Sequence, residues 1–429
     1  MQGILDFLVE FFGTPAIVLG AVSFIGLLVL KKSAQEVFSG TLKAIIGYLI
    51  MQIGIGAISG SLSPMNTIFG KAFNVESFFA WDEPLVAATA PTLGTATAYI
   101  LFFGFLLNIV FARISPFKYI YLTGHHLWVH AGEIAILLWS FGLAGVPLIV
   151  IGSIIAGLYF VLSPALSAKF MKELTGKEDY VIGHGNNFKY WVSLNVARLF
   201  GPGKGNTEDT DAKGLTFLRD MAISLSLIML LIALPATLLV GPGWVEENLS
   251  NGQNYLLYSL LLALRFTGGV IVLLQGVRML IAELIPAFKG ISTKLVPGAI
   301  PALDVPVLIP YGTTALMIGT VIGTISQVIA IIGLNAIGWA VPLPSMIGSF
   351  FGAGMIAIVG NKYGGPKTAY IAAFVEGIFA TFLKSLAYQF GMFGDLASIG
   401  AVGVAPSSSD TLLMGNIAYL IKMVLGLVG

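Results

Sequence analysis

The chain is 429 residues long, 57% hydrophobic and 10% charged, with a mean hydropathy of +0.92 and a formal net charge of +1. A soluble globular domain carries about 25% charged residues, so too little polar surface is available to cover a water-soluble body, and the near-neutral balance offers nucleic acid no electrostatic attraction. The absence of cysteine excludes disulfides, thiolate metal centres and cysteine nucleophiles. Mostly apolar segments run at 8–30, 41–58, 95–112, 131–144, 146–167, 221–241, 255–277, 311–333, 343–360, 368–388 and 411–428, most of them near the roughly 20 residues that cross hydrocarbon. They predict an all-α polytopic membrane protein with about eleven transmembrane helices. Met1 to Glu10 lacks a basic start and a small-residue cleavage site, so the first segment reads as a span and not a signal peptide.

Between these spans, 60–92, 119–131, 180–197 and 282–310 are too broken for a clean crossing and too apolar for an ordinary loop. Irregular backbone at membrane depth survives only inside protein or beside a cavity, so they are expected to form re-entrant hairpins. Lys31, Lys32, Lys43, Arg113, Lys118, Lys169, Lys172, Lys177, Lys189, Arg198, Lys204, Lys213 and Arg219 fall in alternate connections, which the positive-inside rule makes cytoplasmic. The acidic Gly241–Ser250 connection then lies outside. The longest polar stretch, 198–220, divides a first membrane repeat (1–197) from a second repeat with the C-terminal span (221–429). A short echo between Leu42–Ile50 and Val277–Ile285, each followed by an acid-proline cluster (Asp82-Glu83-Pro84 and Asp304-Val305-Pro306), supports two repeats.

Ionisable groups are costly within hydrocarbon and normally face a protein interior or a water-filled pathway. All four histidines fall in two polar interruptions: His125, His126 and His130 within Tyr121–His130, and His184 within Tyr180–Phe188. His125 follows Gly124 and reads as a sugar contact, since a neutral imidazole offers one donor and one acceptor. His126 and His130 have HxxxH spacing without the glutamate of a zincin motif, so they read as packing or hydrogen-bonding side chains, and neither metal nor cofactor is expected. His184 sits in Gly183-His-Gly-Asn-Asn187, where glycines open the backbone and Asn186 adds a carboxamide, the signature of a hairpin tip. Asp82, Glu83, Glu133, Glu283 and Asp304 are acids in apolar surroundings; Asp304 has no adjacent base, and Glu283 follows Arg278 at about the spacing of an ion pair.

Taken together, Leu122-Thr-Gly-His125, Ile182-Gly-His184, Gln275-Gly-Val-Arg-Met279 with Ala282-Glu-Leu284, Ala287-Phe-Lys-Gly-Ile-Ser292 and Leu295-Val-Pro-Gly-Ala299 with Asp304 resemble the membrane-embedded IIC component of the bacterial ascorbate-type phosphotransferase system. The resemblance implies inverted repeats, a homodimer in the bacterial cytoplasmic membrane, and a core domain that moves against a scaffold in elevator fashion. It also implies IIA and IIB phosphotransferase proteins on separate chains, since a chain without cysteine cannot carry the IIB phosphoryl group and is not catalytic alone. Carried over residue by residue, it supports His125, His184, Asp304, Gln52 and Gly54 as substrate contacts. The pattern departs at Val129 and Gly185, where glutamines are expected, at Ile55 for a serine, and at Asp82-Glu83 for a Thr-Tyr pair, which leaves ascorbate itself in question and makes Asp82 and Glu83 expected contacts to a less anionic substrate or a coupling proton.

Translocation of ascorbate or a related sugar acid or polyol is the leading expectation. The alternative is an H+- or cation-coupled transporter of the same fold, drawn from Asp82, Glu83 and Glu133. An intramembrane enzyme has only the histidines in its favour, and a constantly open channel fits broken segments in both halves less well.

Overall fold

The computed structural model describes residues 15–73, 77–176, 178–209 and 220–424, so the first residues of the opening span and 210–219 of the expected linker lie outside the described residues. A helix runs through every one of the apolar segments. In chain order the helices are α1 (Pro15–Val29), α2 (Ala34–Phe73), α3 (Asp82–Ala88), α4 (Ala90–Ile114), α5 (Gly124–Trp139), α6 (Gly145–Thr175) and α7 (Asn187–Leu199) in the first half. The second half holds α8 (Met221–Val240), α9 (Pro242–Asn248), α10 (Tyr255–Leu295), α11 (Thr313–Ala336), α12 (Met346–Ser349), α13 (Met355–Gln389) and α14 (Ser409–Val424).

Among the described residues, six helical stretches are long and apolar enough to cross a membrane, or seven if Met229–Val240 and Pro242–Asn248, bent by 99°, form one span. That is fewer than the eleven expected, for identifiable reasons. One of the six, Ile347–Gln389, breaks at Gly364 and Gly365 (φ +64°) and folds back on itself, with Gly360 against Ala369 and Gly352 against Glu376, so it is a hairpin of two helices. The histidine helix α5 has 16 residues and α7 has 13, too short to span, and both are entered from a strand at depth.

Helices α2 and α10, of 40 and 41 residues, reach about 60 Å at 1.5 Å per residue, twice the hydrocarbon thickness. They pack antiparallel on glycines: a Cβ on Gly47 would meet Leu280 N at 2.6 Å, one on Gly276 would meet Met51 N at 2.4 Å, and one on Gly54 would meet Leu273 N at 2.3 Å. Small residues let helix backbones approach closely where lipid gives no hydrophobic drive. These are also the segments that echo one another in sequence.

Two small parallel sheets interrupt the helices. One has the order β5–β1–β6, with β1 (Ser77–Ala80) between β5 (Val341–Pro342) and β6 (Val404–Ala405). The other has the order β2–β4–β3, with β4 (Ile300–Leu303) between β2 (Tyr119–Tyr121) and β3 (Val181–Ile182). Each half of the chain therefore supplies the centre of one sheet and both edges of the other. Backbone groups that helix geometry leaves free at depth are paired in this way.

The described end of the polar stretch between the halves is docked and not free. Thr207 N donates to Asn361 Oδ1 at 2.8 Å, and the Glu208 carboxylate accepts from Thr314 N at 2.9 Å and Ala315 N at 2.8 Å. Glu208 thus caps the start of α11, where orphan N–H groups and the helix dipole favour an anion. Glu208→Ala is expected to lower stability by about 1 kcal/mol. An unfolding temperature equal to that of the parent protein would show that this cap contributes nothing.

Candidate functional site

The chemistry-bearing residues stand where strands turn into helices. β2 leads through Leu122 and Thr123 into the first turn of α5 with His125 and His126; β3 leads through His184 and Asn186 into α7; β4 ends at Asp304. β1 leads into Asp82 and Glu83 of α3, and β6 into Ser407, Ser408 and α14. Because the sheets interleave the two halves, these five junctions meet around one cavity of about 340 Å³, within the size range of small-molecule sites.

Six of the eight sequence-expected site residues line it: His125, His184, Asn186, Asp304, Asp82 and Glu83. Gln52 and Gly54 do not. They lie on α2, where Gly54 packs on the backbone of Leu273, one residue from the cavity's Leu274. The side chains of Ile55 and Glu283 lie outside the described residues.

Asp304 sits between the two leading histidines, with Oδ2 3.8 Å from His125 Nε2 and Oδ1 3.9 Å from His126 Nε2, while Oδ1 also accepts from Val305 N at 2.8 Å. The rings form a cluster: His126 lies 4.2 Å from His125, 4.1 Å from His184 and 5.4 Å from His130, centroid to centroid. The buried Nδ1 atoms of His126 and His184 have no hydrogen-bond partner within the protein. Two imidazole nitrogens are therefore free to meet hydroxyls of a ligand, since an unmet buried polar atom costs about 1–3 kcal/mol. The ligand atoms of His125, His126 and Asp304 all lie within 4.8 Å of one another and so can also approach a cation.

The HxxxH pair does not act as one unit. His130 bonds to Glu133 Oε2 through Nδ1 at 2.8 Å and to Tyr159 Oη through Nε2 at 3.2 Å, so both its nitrogens are taken by protein. It belongs to a buried network behind the cavity. There Thr411 Oγ1 donates to Glu133 at 2.5 Å, and Asp410 accepts from Ser163 Oγ at 2.6 Å, Tyr159 Oη at 3.1 Å and Phe188 N at 2.8 Å. This network ties α5, α6 and α7 to α14.

Asp82 also departs from expectation. Its carboxylate accepts from Ser407 N and Oγ at 2.5 and 2.7 Å and from Ser408 N and Oγ at 3.0 and 2.6 Å. Four donors saturate it, so Asp82 clamps β1 to the start of α14 although it borders the cavity. The same serines account for Gly185: a Cβ there would lie 2.3 Å from Ser408 Oγ and 2.5 Å from His130 Cε1, so no longer side chain fits.

Sequence reasoning placed Lys189 in a cytoplasmic connection, read Arg278 as the partner of Glu283, treated His126 as packing and overlooked Lys384, yet all four line the cavity. A lone lysine at 384 within the apolar stretch Phe379–Ala387 was a legible sign, because an isolated cation in a membrane helix marks an interior face. Lys189 pairs with Glu376 at 2.6 Å with both side chains buried.

Comparison with known proteins places the chain in a family. The ascorbate-specific PTS system EIIC component of Mycoplasma pneumoniae (strain ATCC 29342 / M129 / Subtype 1) is 24% identical over 440 aligned positions, covering 89% of this chain and 66% of that relative. The chain thus spans just under two thirds of that relative's length. The EIIC-GAT profile, described as the PTS system sugar-specific permease component, matches residues 10–406. A match of that extent, on a chain with several helices able to cross a bilayer, makes this protein a member of the sugar-specific membrane permease family of the phosphotransferase system.

Proposed function

We propose that the chain is the translocating IIC component for ascorbate or a related sugar acid or polyol, working with IIA and IIB proteins on separate chains. The observation that carries this reading is the convergence of strand-to-helix junctions from both halves on one cavity bearing His125, His184, Asn186 and Asp304. Broken segments of two inverted repeats meeting at a central site are the architecture of alternating access. In the proposed cycle a core built on the two sheets carries the sugar past a scaffold built on the long α2–α10 pair, in an elevator movement within a homodimer. Phosphorylation by IIB at the cytoplasmic mouth then prevents return.

The ion-coupled alternative is not favoured. Two of the acids it relies on are already engaged, Asp82 by four donors and Glu133 by Thr411 and His130. Labelled sugar uptake in cells that express the chain with and without ascorbate-type IIA and IIB tests the choice. Accumulation is expected only with both partners; accumulation without them that collapses on adding a protonophore would refute the phosphotransferase reading.

Orientation has its own test, since the parent chain contains no cysteine. In Lys204→Cys and Glu247→Cys variants, a membrane-impermeant maleimide added to intact cells is expected to label position 247 and not 204, following the basic bias of the 198–220 stretch. The opposite pattern inverts the topology.

A further inference from the structure

Lys384 stands apart among the cations of the cavity. It is carried on α13 between Leu383 and Ser385, is 6% exposed, and lines the central cavity. Among the described residues it is also the one shared with a second cavity of about 160 Å³ under the Gly391–Ala405 segment, so its side chain forms part of the wall between the two. Among the described residues no carboxylate is within ion-pair distance of its ammonium group. The charges that bear on it are Lys189, Glu376 and Asp82. Glu376 is taken by Lys189 at 2.6 Å, and Asp82 is saturated by the two serines.

A buried ammonium without a counter-ion is unfavourable, and burial of a charge is normally matched by a partner. An ammonium offers three donors and no acceptor, and its strongest partner is a carboxylate or an enolate oxygen. We propose that Lys384 supplies the anion-recognition point of this cavity, so that the substrate class is a sugar acid in preference to an uncharged polyol. The assignment rests on the permease reading and narrows its substrate. The missing counter-charge arrives with the ligand, while His125, His184 and Asn186 remain for hydroxyls.

The experiment is calorimetry on the full chain in nanodiscs with two probe series, ascorbate, D-glucuronate and L-gulonate against xylitol and sorbitol, on the parent protein and on Lys384→Met and Lys384→Arg. At least one anion is expected to bind the parent protein more tightly than any polyol. Lys384→Met is expected to weaken that anion at least tenfold, to leave polyol affinity within about twofold, and to raise the unfolding temperature because an uncompensated buried charge is gone. Lys384→Arg should keep most of the anion affinity. Polyols bound in preference to anions, or anions bound equally by Lys384→Met, would overturn the assignment while the permease reading stands. A fall in the unfolding temperature of Lys384→Met would overturn it too, by making the ammonium a structural group. If neither series binds the parent protein, the proposed substrate, ascorbate or a related sugar acid or polyol, falls with it.

Discussion

Replacing Asp82 with alanine is expected to prevent stable folding of the purified protein. Its carboxylate is 6% exposed and joins chain positions 325 residues apart through four hydrogen bonds to Ser407 and Ser408. Removing it leaves two backbone N–H groups and two hydroxyls without acceptors in the protein interior. Breaking one side of such a buried charged network costs on the order of 3–5 kcal/mol, much of a typical protein's net stability. The strand pair behind it is short, Phe79 with Val404 and Ala80 with Ala405, and cannot hold the junction alone. Asp82→Asn keeps one acceptor oxygen, and the serine hydroxyls can turn to accept from the new amide, so an intermediate loss is expected. Thermal unfolding in detergent, followed by size-exclusion fluorescence, reads all three proteins. An Asp82→Ala variant that unfolds like its parent but binds sugar poorly would return Asp82 to the role of a substrate contact.

That role was the one expected from sequence, and the reason it shifted shows where sequence reading stops. Hydropathy located the helices because burial in lipid leaves an unambiguous compositional trace, and the intervals 119–131 and 180–197 were recognisable because glycine, proline and histidine cannot continue an apolar helix cheaply, whereas 60–73 and 282–295, expected to be broken, continue the long helices α2 and α10. His125, His184, Asn186 and Asp304 were legible as polar residues in apolar surroundings. Which acid is free and which is clamped depends on partners hundreds of residues away. Ser407 and Ser408 carry no periodic or charge signal, yet they decide the state of Asp82 and the space at Gly185. Strand exchange between the halves was equally hidden, since β1 to β4 are runs of two to four residues within segments read as hairpins, and β5 and β6 are two-residue runs in the connections between apolar segments. The echo between Leu42–Ile50 and Val277–Ile285, by contrast, falls on the antiparallel pair α2 and α10, where matched glycines set the close approach.

His125→Ala, His184→Ala and Asp304→Asn are each expected to weaken ligand binding by roughly 1–3 kcal/mol, about 5- to 150-fold in Kd, with folding retained. Folding should survive because these side chains hold no clamp of the kind Asp82 makes. Asparagine at 304 keeps an oxygen for Val305 N, the bond that starts the following turn, and loses only the charge between His125 and His126. His184 lines the cavity and its buried Nδ1 has no partner within the protein, so truncation removes no hydrogen bond at that nitrogen. Ascorbate is expected to bind less well than a sugar acid with a different hydroxyl pattern. Val129 is fully buried and apolar, and Gly185 is closed off by Ser408 and His130, so two hydrogen-bonding positions of the ascorbate-type pattern are absent. A site that leaves substrate hydroxyls unpaired discriminates strongly against that substrate. Calorimetry with ascorbate decides this point: micromolar affinity in the parent protein would mean that His126, or water held beside it, supplies the contacts that the missing glutamines do not.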